Sequence, residues 1–156
     1  GRLSGMLWST RDAAQQVADG RIDAASSTGS ASSGGHQSPP STGCTELFLT
    51  SSKQGMSMDA LLQHMEDGYV VNSVMGAHTA NPSSGDFSVT TSSILKVEGG
   101  EIVGSLKQAG LSGNLAKAMN GPVVLGDEVR RQGSYSSGSM HLPNVLLMDG
   151  LRINPA

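Results

Sequence analysis

The chain has 156 residues, a formal net charge of −3 and a pI near 5.7, and only 37% of its residues are hydrophobic and 3% aromatic. Lys and Arg form no cluster interleaved with aromatic residues, which argues against direct nucleic-acid binding. No apolar run approaches the roughly 18 residues that a membrane-spanning helix needs, so a membrane protein of that kind is also excluded.

The length predicts one domain over residues 1–156, and the low apolar content indicates a core that is completed against other chain or a second subunit. A single cysteine, Cys44, cannot form an internal disulfide. We therefore expect a reducing compartment, the cytoplasm. Because the chain lacks an initiator Met and a signal-peptide apolar region, we expect it to begin inside a longer protein.

The first predicted elements are a short helix and a long polar loop. Ser9 or Thr10 can cap a helix that runs through about Ala18, with Gly20 just beyond its end. Residues 26–43 read SSTGSASSGGHQSPPSTG and predict a flexible loop. An ordered loop packed near an active site is the alternative, since long loops inside domains are often functional.

The rest of the chain predicts strands in sequential hairpins with two further short helices. Helical spacing of Leu61, Leu62 and Met65 after Ser57 predicts the longer of these helices, and paired glycines predict a tight turn at residues 98–101. The expected helices are 58–67 and 114–119, the latter capped by Ser112, and the expected strands are 45–50, 69–75, 87–97, 101–106, 122–125, 129–136, 139–141 and 145–147. The predicted fold class is α+β with a mostly antiparallel sheet.

The candidate functional segment is the loop 76–86 between two of these strands. It concentrates residues that form turns and hydrogen bonds, and such loops often carry function. We expect His78, Asn81, Ser84, Gly85 and Asp86 to contact a peptide or a subunit, with a purely structural turn as the alternative.

The sequence patterns predict no catalytic and no metal-binding residues in this chain. The histidines, His36, His64, His78 and His141, form no HExxH motif and no pair at helical spacing, and Cys44 has no cysteine neighbour. There is no GxSxG elbow to mark a nucleophilic serine. Residues 110–114 can hold an anion before a helix or form a plain turn and cap, and no GK[ST] follows them.

Seven segments, in chain order, resemble the TldD/PmbA family, once named modulators of DNA gyrase. The central signature is Gly68-Tyr-Val70 with Gly76–Val89. Around it lie Leu3–Ala14, Gly34-Gly-His36 with Thr45-Glu-Leu-Phe48, Glu98-Gly-Gly-Glu-Ile102, Ser112-Gly-Asn-Leu115, Leu125-Gly-Asp127, and Arg131 with Ser137–Pro143. Glu46 and Asp127 stand where the family usually has Asn.

The resemblance implies a metallopeptidase system. In it, a TldD-type subunit carries a His-Glu…His zinc helix and a later Cys ligand, and a metal-free TldE/PmbA-type subunit pairs with it. The zinc helix would precede Gly1, and no cysteine follows Cys44, which favours the PmbA branch.

We therefore expect a metal-free partner, with zinc in the other subunit, that pairs with a TldD-like subunit or with itself and takes unfolded peptides. The alternatives are a self-sufficient zinc peptidase with upstream ligands, and a non-proteolytic module of a gyrase–toxin system.

Overall fold

The structure is a computed structural model that describes residues 4–133 and 139–155. Within these residues the chain forms three α-helices and ten strands, most of them paired antiparallel, so the predicted α+β class is confirmed. In chain order the elements are α1 (Thr10–Ala18), β1 (Ala31–Ser32), β2 (Ser41–Thr42), β3 (Glu46–Phe48), α2 (Met58–Met65), β4 (Gly68–Met75), β5 (Asp86–Glu98), β6 (Glu101–Leu106), β7 (Ala109–Asn114), α3 (Leu115–Asn120), β8 (Val123–Gly133), β9 (Ser139–Leu147) and β10 (Leu151–Pro155).

Each helix begins at a polar side chain that caps its first turn. The Ser9 hydroxyl accepts a hydrogen bond from the Asp12 backbone at 3.0 Å, and the Ser57 hydroxyl accepts one from the Ala60 backbone at 3.2 Å. These bonds satisfy backbone donors that a helix start otherwise leaves open. The apolar spacing of α2 buries Leu61 and Leu62, as predicted.

The described chain divides into two compact units. The first comprises Gly1–Leu49 and Arg131–Leu142, as far as these residues are described. It contains α1 and the β1–β2 hairpin. In it β3 pairs in parallel with the start of β9, with Glu46, Leu47 and Phe48 opposite Ser139, Met140 and His141.

The second unit, residues 50–130 and 143–156, is built on a five-stranded antiparallel sheet. The long strand β5 is its centre: β4 pairs along one side, and β6 and β7 share the other. β10 pairs with the outer side of β7. A further sheet of three strands has the order β3–β9–β8.

The core of the second unit is centred on β5. Val89, Ile94 and Val97 are buried, and the fully buried Thr91 hydroxyl exchanges hydrogen bonds of 3.1 and 2.9 Å with the backbone of Ala109. The hydroxyl therefore replaces water as the partner of both backbone groups. This joins β5 to β7 through a side chain as well as through the strand ladder.

Four expectations about the later strands were wrong. Residues 122–125 and 129–136 were expected as two strands, but β8 runs unbroken over Val123–Gly133, and residues 134–136 lie outside the described part. Residues 139–141 and 145–147 are likewise one strand, β9, which passes through Pro143. A proline is tolerated there because β3 pairs only with the first three residues of β9. The strands β7 and β10 were not predicted.

Smaller corrections concern element ends and the polar loop. Asn114 caps α3, not Ser112, because Ser112 lies within β7 and pairs with both neighbouring strands. Helix α2 ends at Met65, and β3 spans only Glu46–Phe48. The segment 26–43, expected as a loop without strands, contains the short β1–β2 hairpin.

Candidate functional site

The candidate loop begins where β4 ends. Gly76 has a positive φ of 87° and starts a short 3-10 turn, Ala77–Thr79. The Thr79 backbone and hydroxyl both donate to the Gly76 carbonyl, at 2.9 and 2.7 Å. Glycine is required here because the left-handed backbone costs an L side chain free energy. The chain is thereby turned off the sheet before it reaches Asn81.

Asn81 closes the second half of the loop. Its side-chain oxygen accepts hydrogen bonds from the Ser83 and Ser84 backbones, at 2.9 and 3.2 Å. Its backbone N–H donates to the Asp86 carbonyl, and its own carbonyl accepts from Gly85, both at 2.9 Å. This is the geometry of an Asx turn, for which asparagine is suited. The contacts of Asn81 in the structure are therefore those of a turn-forming residue.

Asn114 fastens the loop to the end of β7. Its side-chain amide donates to the Ser84 carbonyl at 2.8 Å and to the Asp86 carboxylate at 2.7 Å. Its side-chain oxygen accepts the Lys117 backbone N–H at 3.0 Å, which caps α3. The Asn114 side chain thus forms hydrogen bonds with the loop backbone, with the Asp86 carboxylate and with the first turn of α3.

Asp86 is the ionised group that the loop presents. Hydrogen bonds from Asn114 and Ser84 lower the pKa of the Asp86 carboxyl below its ordinary value, and the Lys117 charge adds to this against a small opposing effect of burial. The carboxylate is exposed to solvent. It is therefore a fixed negative charge at neutral pH, not a proton donor.

Asp86 lies at an open groove of about 550 Å³ in the second unit. The groove carries two acidic and two basic side chains around a floor formed by β7 and the start of β10. Its lining residues are Asp86, Ser112, Gly113, Asn114, Lys117, Asp149, Gly150, Leu151 and Arg152.

The groove floor depends on two glycines. A Cβ atom on Gly113 would lie 2.4 Å from the Gly150 carbonyl oxygen, and one on Gly150 would lie 2.9 Å from the Ala118 backbone. Gly150 also has a positive φ of 78°. Both positions therefore require glycine for β7, β10 and α3 to approach this closely.

The structure brings together three of the five predicted site residues. Ser84, Gly85 and Asp86 meet β7 and α3, since the Gly85 carbonyl also accepts the Leu115 N–H at 2.8 Å. Asn81 shapes the turn. His78 is exposed in the 3-10 turn and is not among the residues that line the groove.

Sequence reasoning missed most of the groove. Asn114 was marked by the segment that resembles a helix start and as the last of residues 110–114, which were expected to hold an anion or form a turn and cap, whereas Lys117, Asp149 and Arg152 had no local signal. They lie 31 or more positions from Asp86 along the chain, so only the sheet pairing brings them to it.

A second polar cluster occurs in the first unit. His141 stacks on Phe48 with ring centroids 4.3 Å apart, and its Nε2 lies 3.4 Å from the Ser139 hydroxyl and 3.8 Å from the Glu46 carboxylate. Both partners approach the same ring nitrogen. A catalytic triad needs the carboxylate at the other nitrogen, so this arrangement is not one.

The described residues contain no group of three His, Cys, Asp or Glu side chains that could hold a metal ion. A zinc site needs at least three such ligands close together. This part of the chain therefore does not fit the zinc site that the family resemblance implies for one of its subunits.

A known family matches the chain over nearly its whole length. The sequence model of the PmbA/TldA metallopeptidase C-terminal domain matches residues 1–153. The chain belongs to this family. No curated protein sequence matches it.

Two solved structures share the fold. TldE from Thermococcus kodakarensis is 23% identical with a TM-score of 0.67, over 82% of this chain and 28% of that one. A candidate modulator of a DNA gyrase from Thermotoga maritima is 25% identical with a TM-score of 0.64, over 91% of this chain and 29% of that one. This PmbA/TldA domain thus spans under a third of either protein.

No helix in the described ranges is both long and apolar enough to cross a bilayer.

Proposed function

We propose that this PmbA/TldA domain belongs to the metal-free partner subunit of a TldD-type peptidase and helps to hold unfolded peptides for cleavage. Zinc would be supplied by the partner subunit. Family membership supports a role in a metallopeptidase system, and the absence of cysteine after Cys44 in this chain supports the metal-free branch. We further propose a cytoplasmic location, which suits the lone cysteine.

The observation that carries the peptide-holding role is the fixed Asp86 carboxylate in an open groove. Extended peptides present backbone N–H groups and charged ends, and the groove offers both signs of charge beside the exposed backbone of Gly150. A carboxylate held by Asn114 loses little entropy when it binds, because its position is already set. Such a surface favours polar backbone contacts over recognition of particular side chains.

The test is cleavage of an unstructured peptide by the full-length protein, alone and together with its TldD-type partner. We expect cleavage only with the partner present, and loss of that activity with a chelator. Cleavage by the full-length protein alone would contradict the proposal and support a self-sufficient peptidase. Partner binding without any cleavage would support a non-proteolytic module.

The groove is tested in the same assay with Asp86→Asn. We expect kcat/KM to fall about tenfold, which corresponds to about 1.4 kcal/mol. The matched control is Asp23→Asn, an exposed aspartate of the first unit, and it should leave kcat/KM unchanged. Analytical ultracentrifugation of each mixture separates loss of peptide binding from loss of subunit pairing.

A further inference from the structure

The sequence contains three Asp-Gly pairs, at residues 19–20, 67–68 and 149–150. In such a pair the backbone nitrogen of the glycine can attack the side-chain carboxyl carbon of the preceding aspartate and close a five-membered succinimide ring. Glycine favours this reaction because it has no Cβ atom to hinder the approach. All three aspartates are exposed, so access to water does not distinguish them. They differ in the group that each carboxylate contacts.

The Asp149 carboxylate is held against the nitrogen of its own neighbour. Its Oδ1 atom accepts a hydrogen bond from the Gly150 N–H at 3.3 Å. The carbon that the nitrogen must attack is bonded to this oxygen, and groups held in contact react much faster than groups that must first meet. Gly150 has a positive φ of 78° and lies with Asp149 in an exposed bend between β9 and β10. The fold therefore places both reacting groups and water at one point.

The other two aspartates direct their carboxylates to other donors. Asp19 accepts a hydrogen bond from the Gln15 side-chain amide at 2.7 Å, while the Gly20 N–H donates to a backbone carbonyl of α1 at 3.0 Å. Asp67 accepts a hydrogen bond from the Gly99 N–H at 3.0 Å. In these two pairs the hydrogen bonds of the structure hold the carboxylate on a group other than the glycine that follows it.

One Asn-Gly pair, at residues 120–121, can close the same ring with loss of ammonia. The Gly121 N–H, however, donates to the Lys117 and Ala118 carbonyls at 3.1 and 3.2 Å, at the end of α3. Its nitrogen is therefore engaged with the helix. Loss of ammonia also changes the mass of the chain, whereas rearrangement of an aspartate does not, so the two products are measured separately.

We propose that Asp149 is a site of spontaneous modification, at which the side chain closes a succinimide with Gly150 and reopens to isoaspartate. The Gly150 nitrogen loses its proton and bonds to the Asp149 Cγ atom, the bond from Cγ to its hydroxyl breaks, and proton and hydroxyl leave as water. Water then adds to the former main-chain carbonyl carbon, whose bond to the nitrogen breaks, and the nitrogen regains a proton. The main chain now runs through Cγ, and no oxidant or cofactor is needed.

Isoaspartate at position 149 would deform the floor of the Asp86 groove. It lengthens the main chain by one carbon–carbon bond, about 1.5 Å. The bend has no room for this, since even a Cβ atom on Gly150 would lie 2.9 Å from the Ala118 backbone. The hydrogen bond from the Asn114 N–H to the Gly150 carbonyl, at 3.4 Å, would also be displaced. The modification itself requires neither a partner subunit nor a peptide, and only its effect on cleavage rests on the proposed function.

The experiment is timed incubation of the folded full-length protein at neutral pH. Samples are digested and mapped by mass spectrometry with electron-transfer fragmentation, which distinguishes isoaspartate from aspartate. We expect isoaspartate to accumulate at Asp149 at least about tenfold faster than at Asp19 and Asp67, because only Asp149 is held on the attacking nitrogen. In urea the three sites should react at similar rates, since the folded geometry is lost.

Equal rates at the three sites of the folded protein would overturn the proposal. An unchanged preference for Asp149 in urea would also overturn it, because neighbouring sequence and not the folded contact would then set the rate. Both measurements use the parent protein, without partner or peptide, so their failure is distinguishable from failure of the proposed function.

Two variants test the effect on the fold. The melting temperature of the parent should fall during incubation, whereas that of Asp149→Glu should stay constant, because glutamate would need a six-membered ring that closes far more slowly. Asp19→Glu is the matched control, since it removes another Asp-Gly pair, and it should lose stability as the parent does. An equal fall in Asp149→Glu would refute the deformation of the groove floor.

Discussion

The close approach of β7 and β10 makes Gly113 the most sensitive position in the Asp86 groove. An added Cβ atom would lie 2.4 Å from the Gly150 carbonyl oxygen, 2.9 Å from a Leu151 methyl carbon and 3.2 Å from the Leu151 Cα. Two of these contacts involve backbone, which can yield only if the strands separate. The weak hydrogen bond from the Asn114 backbone to Gly150, at 3.4 Å, would open at the same time.

Gly113→Ala is therefore expected to destabilise the fold by about 1–3 kcal/mol, the range for overpacking a well-packed site. For a chain of this size that corresponds to a fall in melting temperature of roughly 2–12 °C. The assay is thermal unfolding followed by circular dichroism, with urea unfolding as a second measurement. Peptide cleavage with the partner should fall as well, because the groove floor would open.

Gly104→Ala is the matched control, since it is also a strand glycine in the same sheet. A Cβ atom on Gly104 would meet no atom within 4 Å, and its φ is not in the left-handed region. We expect this variant to be as stable as the parent, or more stable by about 0.4–1 kcal/mol through a less disordered unfolded state. Equal stabilities of Gly113→Ala and Gly104→Ala would refute the β7–β10 packing.

Two further predictions concern strain and charge. Glu66 is the one described non-glycine residue with positive φ, at 60°. Glu66→Gly should therefore stabilise the protein by about 1 kcal/mol in urea unfolding, while Glu66→Ala should not. Equal effects of the two substitutions would show that loss of the side chain, and not relief of the backbone, is responsible. Folding lowers the pKa of Asp86 from its ordinary 3.8. Ionised Asp86 therefore adds to the free energy of unfolding at pH values above 3.8, and this contribution is lost as the pH falls through the lower pKa of the folded state. Asn114→Ala should move the Asp86 pKa upward in an NMR titration and flatten this acid dependence, and an unchanged pKa would contradict the assigned hydrogen bond.

The elements that could be predicted are those with strong local signals. Helix α2 has a capping serine and apolar residues at helical spacing, and the structure confirms it with two buried leucines. The β5–β6 hairpin has paired glycines that supply the positive φ values of its turn, 56° and 79° at Gly99 and Gly100. The loop 76–86 was predicted for the same reason, since Asn81 and the glycines specify turns through contacts with their own neighbours.

Only the tertiary structure decided those parts of the fold whose local sequence pattern is weak. The β7 segment AGLSGN has neither an apolar alternation nor β-branched residues, and it forms a strand because β5 and β10 pair with it on both sides. Its two glycines allow that approach, as the Gly113 contact distance shows. Asn114 meets Asp86 across 28 positions of sequence, a contact that the register of β5 with β7 creates. The sequence by itself therefore determined the family, the fold class and the turn-forming residues, because these depend on residue type and local spacing. The Asp86 groove depends on strand pairing between distant segments, and backbone hydrogen bonds of that kind carry no local sequence signature.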